Sequence, residues 1–393
     1  MTGRRVLWCM RTHITVVGGG LAGLTAAIAC AEHGATVDLL EAHTTLGGRA
    51  RTTAGPYLAN DGPHAFYSDG EPFRWLSLRG FVQPFTRPTV GTLARARFRH
   101  LGRLTTVPPV ALLAMLAHRS TAAPVDRDFA SWATERFGAT AAAAACGFMG
   151  IVTYSADVGG LSAAFVWERI LRAGAAGLPV VRYPVGGWSA VIARMAAHAQ
   201  SLGVRVTTGA RITELPSSPV IVATSLSAAR GLLGDGTLRW PGGHAVLLDL
   251  GLRADGHDPF LISDLDDGGF VERFSAPDPS LAPAGHSLVQ AMMPIAAGET
   301  RAGAVLRLES VVDLALPGWR DRVDWRREAG ARNRTGALDL PGQTWWDRPA
   351  IDRGDGVWLV GDCVAAPGLL SEVSVNSALI AARSALGVVK AAA

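Results

Sequence analysis

The segment ITVVGGGLAGLTAAIACAEHGATVDLLE, residues 14–41, constrains the fold more than any other. Ile14–Val17 is a β-branched run of the kind that makes a buried parallel strand. Gly18, Gly20 and Gly23 follow in G-x-G-x-x-G spacing and lead into LTAAIACAEH, a helix former. The first glycine permits a tight turn, and the second lets a diphosphate approach the backbone. The third lets helix and strand pack closely, with Leu21 and Ala22 at a helix N-terminus aimed at the phosphates. Gly34 closes the helix, TVDLL reads as a second strand, and Glu41 lies 18 residues beyond Gly23. An acid there accepts hydrogen bonds from both hydroxyls of an adenosine ribose and disfavours a 2′-phosphate. NAD and FAD therefore fit this βαβ unit better than NADP.

The flanking segments point to FAD. TTLGGRARTT puts Gly47, Gly48 and Arg49 just after the second strand, where paired glycines and a forked cation can meet a diphosphate. ANDGPHAFY contributes Gly62, Pro63 and His64, a stiff turn before aromatic residues. Near the C-terminus, GVWLVGDC is another buried strand, ending in Gly361 and Asp362. An acid at that point suits a ribose or ribityl hydroxyl. The helix beginning near Glu372 and Val373 would aim its positive end at the edge of a flavin that gains charge on reduction.

Composition limits the alternatives. The chain has 393 residues, long enough for two domains, with 49% hydrophobic and 18% charged residues and a formal net charge of +4. The basic residues are scattered, and no basic stripe interleaved with aromatics argues for nucleic acid. Cys9, Cys30, Cys146 and Cys363 form no CxxC, and the histidines form no HExxH pair, so neither disulfide framework nor metal is expected. The N-terminal apolar run is too short for a signal peptide, and a cytoplasmic location is the expectation.

With these motifs in place, the chain resembles the flavin amine oxidoreductase superfamily, most closely its phytoene-desaturase-like and protoporphyrinogen-oxidase-like branch. YPVGGWSAVIARMAAHAQSLGVRVTTGARITEL resembles the family's central segment, with Gly186, Gly187 and Ile212 in the places of its glycine turn and adenine contact. The resemblance implies FAD contacts at Gly18, Gly20, Gly23, Glu41, Gly48, Arg49, Ile212 and Asp362, with the backbone near Glu372 and Val373 facing the ring. It also implies an α/β fold: a discontinuous Rossmann-like FAD-binding domain (1–68, 184–235, 351–393) and an α+β substrate domain (69–183, 236–350), a mixed sheet covered by helices. Helices are expected in EPFRWLSLRGF, PPVALLAMLAH, DFASWATERFG and TAAAAACGFMGIVTYSA. Strands are expected in HAVLLDLGLR, PFLISDL, GGFVERFSA and HSLVQAMMPI, followed by a helix in GAVLRLESVVDLALPGW.

The expected activity is FAD-dependent oxidation of a largely apolar small molecule, an isoprenoid or secondary-metabolite intermediate, by desaturation or isomerisation. Amine or amino-acid oxidation is the alternative within enzymes, and a non-catalytic lipid-binding escort is the alternative outside them. Two departures count against amine oxidation. The sole lysine is Lys390 in the C-terminal tail, and Leu370 stands where such oxidases carry an aromatic residue beside the flavin. His64 is the candidate acid or base, unless it only hydrogen-bonds flavin or backbone. Cys363 reads as a small buried apolar residue or a covalent flavin link, and Glu372 as a helix-terminus acid or a base. Trp345 and Trp346 would fill core or wall the pocket. VPPVALLAMLAH would pack on its own domain or dip into a membrane face.

Overall fold

The computed structural model describes residues 12–61, 65–174, 181–217 and 219–387. Gly62, Pro63, His64 and Lys390 lie outside the described residues. The first strand, His13–Val17, sits at the centre of a five-stranded sheet. The strand order is Val357–Leu359, Val220–Val222, His13–Val17, Thr36–Leu40, Arg205–Thr207, and every pairing is parallel. Three separated stretches of chain thus build one sheet. Parallel strands are covered on both faces, which is why Val220, Ile221 and Val222 are all buried. The first helix, Leu21–Glu32, is buried at every residue from Leu21 to Cys30 because it packs against the sheet, the helix Gly187–Ser201 and the last helix, Ser371–Ala385. Gly34 follows that first helix at φ +87°, the left-handed position that ends helices without a Cβ penalty.

A second, seven-stranded sheet carries the long strand Gly242–Arg253, flanked by antiparallel partners His286–Pro294 and Val323–Ala337. Phe270–Arg273, Leu261–Asp264, Ala96–His100 and Arg103–Thr105 complete it. All its pairings are antiparallel except Leu261–Asp264 with Ala96–His100, so the sheet is mixed. The helix Arg301–Ala315 covers one face, putting Leu308, Val311 and Val312 against Val246, Leu248 and Leu250. A helical layer, Val110–Leu116, Phe129–Phe137, Ala139–Thr153 and Ala163–Ala173, shares a core with Leu265 and Leu338.

The sequence expectations differ from the structure at a few elements. The hairpin Ala96–Thr105, the helix Ala163–Ala173 and the strand Val323–Ala337 were not anticipated. The last reads VDWRREAGARNRTGA: an edge strand half in solvent is rich in Arg and lacks an apolar run. Trp345 and Trp346 neither fill core nor wall the pocket. They stack on each other at 3.7 Å between centroids, and Trp346 is 72% exposed. Around Val110–Leu116, Leu112 and Met115 are buried while Val107, Val110 and Leu113 face outward. Among the described residues no helix is long and apolar enough to cross a membrane.

Candidate functional site

The site begins at the glycine turn. Gly18 has φ +109°, and its N–H donates to the Leu40 carbonyl at 2.7 Å. A Cβ on Gly23 would lie 1.8 Å from the Gly18 carbonyl oxygen, so the helix starts in backbone contact with the strand it follows. Glu41 ties this turn to the end of the second strand. Its Oε2 accepts from the Gly19 N–H at 2.7 Å and its Oε1 from the His43 N–H at 2.8 Å. Each carboxylate oxygen retains acceptor capacity beyond these bonds. The following loop docks on the turn, with the Gly47 N–H donating to the Gly19 carbonyl at 2.8 Å and Gly47 bridging to Gly20.

Arg49 and Asp362, expected to contact a diphosphate and a sugar separately, meet each other. Nη1 reaches Oδ2 at 2.6 Å and Nη2 reaches Oδ1 at 2.7 Å, a bidentate pair. The Asp362 carboxylate raises the Arg49 guanidinium further above its ordinary value. Burial alone would push the Asp362 carboxyl up, but the Arg49 charge and hydrogen bonds outweigh it and hold it low. Both groups are therefore ionised, and the fork Arg49 turns to Asp362 is the one expected to face phosphate.

A cavity of about 860 Å³ runs along these groups. Gly18, Gly20, Leu21, Ala22, Glu41, Gly47, Gly48, Arg49, Ile212, Gly361 and Asp362 all line it. Gly23 does not: it lies behind the turn, packed on Gly18 and Ala223. Ile212 lies in the loop after Arg205–Thr207.

The last helix, Ser371–Ala385, begins at this cavity. Leu370, Ser371 and Ser374 line the cavity; Glu372 and Val373 do not. Ser371 and Ser374 are three residues apart and share a helix face, whereas the two residues between them point elsewhere. Glu372 is an ion-paired acid in the helix's first turn, accepting the Arg172 fork at 2.6 and 2.7 Å and the Leu369 N–H at 2.9 Å. That arrangement answers to the helix-terminus reading rather than to a base. Leu370, at φ +52°, holds a strained backbone where the cavity meets this helix. Cys363 lines the cavity, and burial pushes its thiol up, away from the reactive thiolate.

Sequence reasoning missed part of the wall. Thr224 and Ser225 line it where a helix begins after Val220–Val222, and Ser225 Oγ accepts from the Ala228 N–H at 3.3 Å. The strand VIV followed by a capping serine was the available signal. Trp188, Arg239, Arg332 and Thr335 also line the cavity, and only the fold brings them there.

Residues 16–77 match the family model described as an NAD(P)-binding Rossmann-like domain. No curated protein matches the chain. Solved structures align along nearly its whole length. An oxidoreductase from Methanosarcina mazei has a TM-score of 0.75 at 13% identity, covering 95% of this chain and 100% of that one. Cyclohexylamine oxidase from Brevibacterium oxydans IH-35A gives 0.74 at 13%, covering 97% and 100%. Reduced UDP-galactopyranose mutase gives 0.70 at 15%, covering 96% of each. The chain has the fold these proteins share. At such identities the likeness concerns the fold, and the reaction must be argued from the site.

Proposed function

We propose that the chain is an FAD-dependent oxidoreductase acting on a largely apolar small molecule. The observation that carries this reading is the single cavity running from Glu41, past the glycine turn, to the start of the last helix, with walls from both ends of the chain. The walls suit the group. A Cβ on Gly20 would meet only the Gly47 carbonyl oxygen, at 3.8 Å, so that position is open to a ligand rather than filled by protein. Leu21 and Ala22, at a helix N-terminus, would hold the diphosphate, and Glu41 would accept from the adenosine ribose. The Arg49–Asp362 pair and the N-terminus of Ser371–Ala385 would hold the other half. When bound, FAD supplies a two-electron acceptor able to take a hydride from a C–H bond. The chain's own part is to orient substrate and exclude water, with Leu370 and Trp188 as apolar wall. Loss of a hydride from one carbon and of a proton from its neighbour to a base gives a double bond; return of the hydride at the far end of an allylic cation gives an isomer. His64 is the proposed acid or base.

Amine oxidation is the second reading, favoured by the fold shared with cyclohexylamine oxidase and opposed by Leu370 and by the sole lysine being Lys390. The test is a spectrum of the purified protein, followed by addition of candidate polyenes and amines without air. Flavin bands that bleach with a polyene support the first reading, and bleaching with amines alone supports the second. A colourless protein that takes up no FAD refutes both.

A further inference from the structure

Arg169 lies on the helix Ala163–Ala173 and is only 7% exposed, yet no buried carboxylate faces it. Its Nη1 donates to the Phe165 carbonyl at 2.9 Å. Among the described residues its one ion pair is with Glu168, at 3.5 Å, and that side chain is 66% exposed. Nε and Nη2 make no hydrogen bond among the described residues. The nearby carboxylates are already engaged. Asp339 accepts Arg348 Nε and Nη2 at 2.9 and 2.8 Å, and Asp362 takes the Arg49 fork. Burial pushes the Arg169 guanidinium down to about 10, which still leaves it a cation at neutral pH.

A small pocket of about 10 Å³ opens at this cation, lined by Arg169, Thr335, Arg348, Asp362, Leu370 and Val373 among others. It meets the large cavity at Thr335, Gly336, Asp362 and Leu370, which line both. The Thr335 hydroxyl is buried and has no hydrogen-bond partner among the described residues. One pocket therefore brings together a cation that stacks on the Phe165 ring at 3.3 Å but keeps Nε and Nη2 without a hydrogen bond, and an unpartnered buried hydroxyl, at the Asp362 and Leu370 end of the cavity. Unmet buried polar groups are costly, and a ligand that satisfies them recovers that cost.

We propose that Arg169 and the Thr335 hydroxyl form a subsite for the carboxylate of an otherwise apolar substrate. Adjacent Nε and Nη2 donors match the two oxygens of a carboxylate in one plane, and the hydroxyl donates to one of them. The subsite opens into the large cavity, where the apolar remainder lies. This deepens the proposed function, on which it rests for placing substrate at that end.

The experiment is calorimetric titration of the purified protein, with its flavin content recorded, using octanoate, octanamide and inorganic phosphate. Wild type should bind octanoate roughly 10- to 100-fold more tightly than octanamide. Arg169→Gln should reduce that preference to about twofold or less without lowering the melting temperature, because it removes an uncompensated buried charge. Arg169→Lys, keeping charge but not the fork, should be intermediate. Equal affinities in wild type, a preference that survives Arg169→Gln, or phosphate binding as tightly as octanoate each overturn the proposal. So does the failure of both variants to fold, which makes Arg169 structural. A flavin-bearing protein blind to octanoate sinks the subsite alone; a flavin-free protein that keeps the preference sinks the FAD reading alone.

Discussion

Gly23→Ala and Gly20→Ala should fail in opposite ways, although they lie three residues apart in one motif. A Cβ on Gly23 would stand 1.8 Å from the Gly18 carbonyl oxygen, and real Cβ contacts do not fall below 3.0 Å, so helix and strand must part by at least 1.2 Å (3.0 − 1.8). The obstacle is backbone, and the helix is buried from Leu21 to Cys30, so it has little room to retreat. The cost should be about 3 kcal/mol, the upper range of overpacking. Gly20 has φ −78° and open space at its Cβ, so alanine there should cost about 1 kcal/mol or less. Its methyl would protrude where the diphosphate is proposed to pass. Urea unfolding followed by circular dichroism reads the first effect, and flavin-to-protein absorbance reads the second. Gly23→Ala should melt early, whereas Gly20→Ala should melt normally yet purify with much less flavin. A Gly23 variant as stable as wild type would refute the packing argument. A Gly20 variant with full flavin would show that no ligand crosses that point.

Glu41→Ala removes the acceptors of the Gly19 and His43 N–H groups, and should cost about 2 kcal/mol along with flavin occupancy, measured by the same two assays. Asp362→Asn leaves Arg49 without its counter-charge. Because the Arg49 side chain is 36% exposed, about 2 kcal/mol is expected in urea melts, less than for a fully buried pair. Glu272 accepts from the Tyr183 hydroxyl at 2.7 Å, and burial pushes its carboxyl from 4.5 up to about 7. Between those values the folded protein holds a proton the unfolded chain has released, so stability should fall by about 3 kcal/mol as pH rises from 4.5 to 7. Glu272→Gln should flatten that part of the urea-midpoint profile; an unchanged slope would place the proton elsewhere.

Much of the nucleotide side of this protein is local. Strand, glycines, helix, Gly34 and Glu41 fall within 28 residues, and each answers to steric and capping rules that act between neighbours in the chain. The periodicity that marks Val220–Val222 and Val357–Leu359 as buried strands is equally local. Partner choice is not. Arg49 looked free for phosphate because its carboxylate lies 313 residues away, and Glu372 looked available as a base because Arg172 lies 200 residues away. The strand Val323–Ala337 was missed and the pair Trp345–Trp346 misread for a related reason. Whether a charged run is an edge strand, or an aromatic is buried, depends on what the rest of the chain packs against it. The sequence by itself determined a dinucleotide-type βαβ turn and its continuation at the C-terminus. Only the tertiary structure decided which charges neutralise one another, and so left Arg169 as a buried cation facing a pocket. The physical reason is that backbone geometry is set by near neighbours, whereas desolvation and charge pairing are set by whatever the fold brings within a few ångströms.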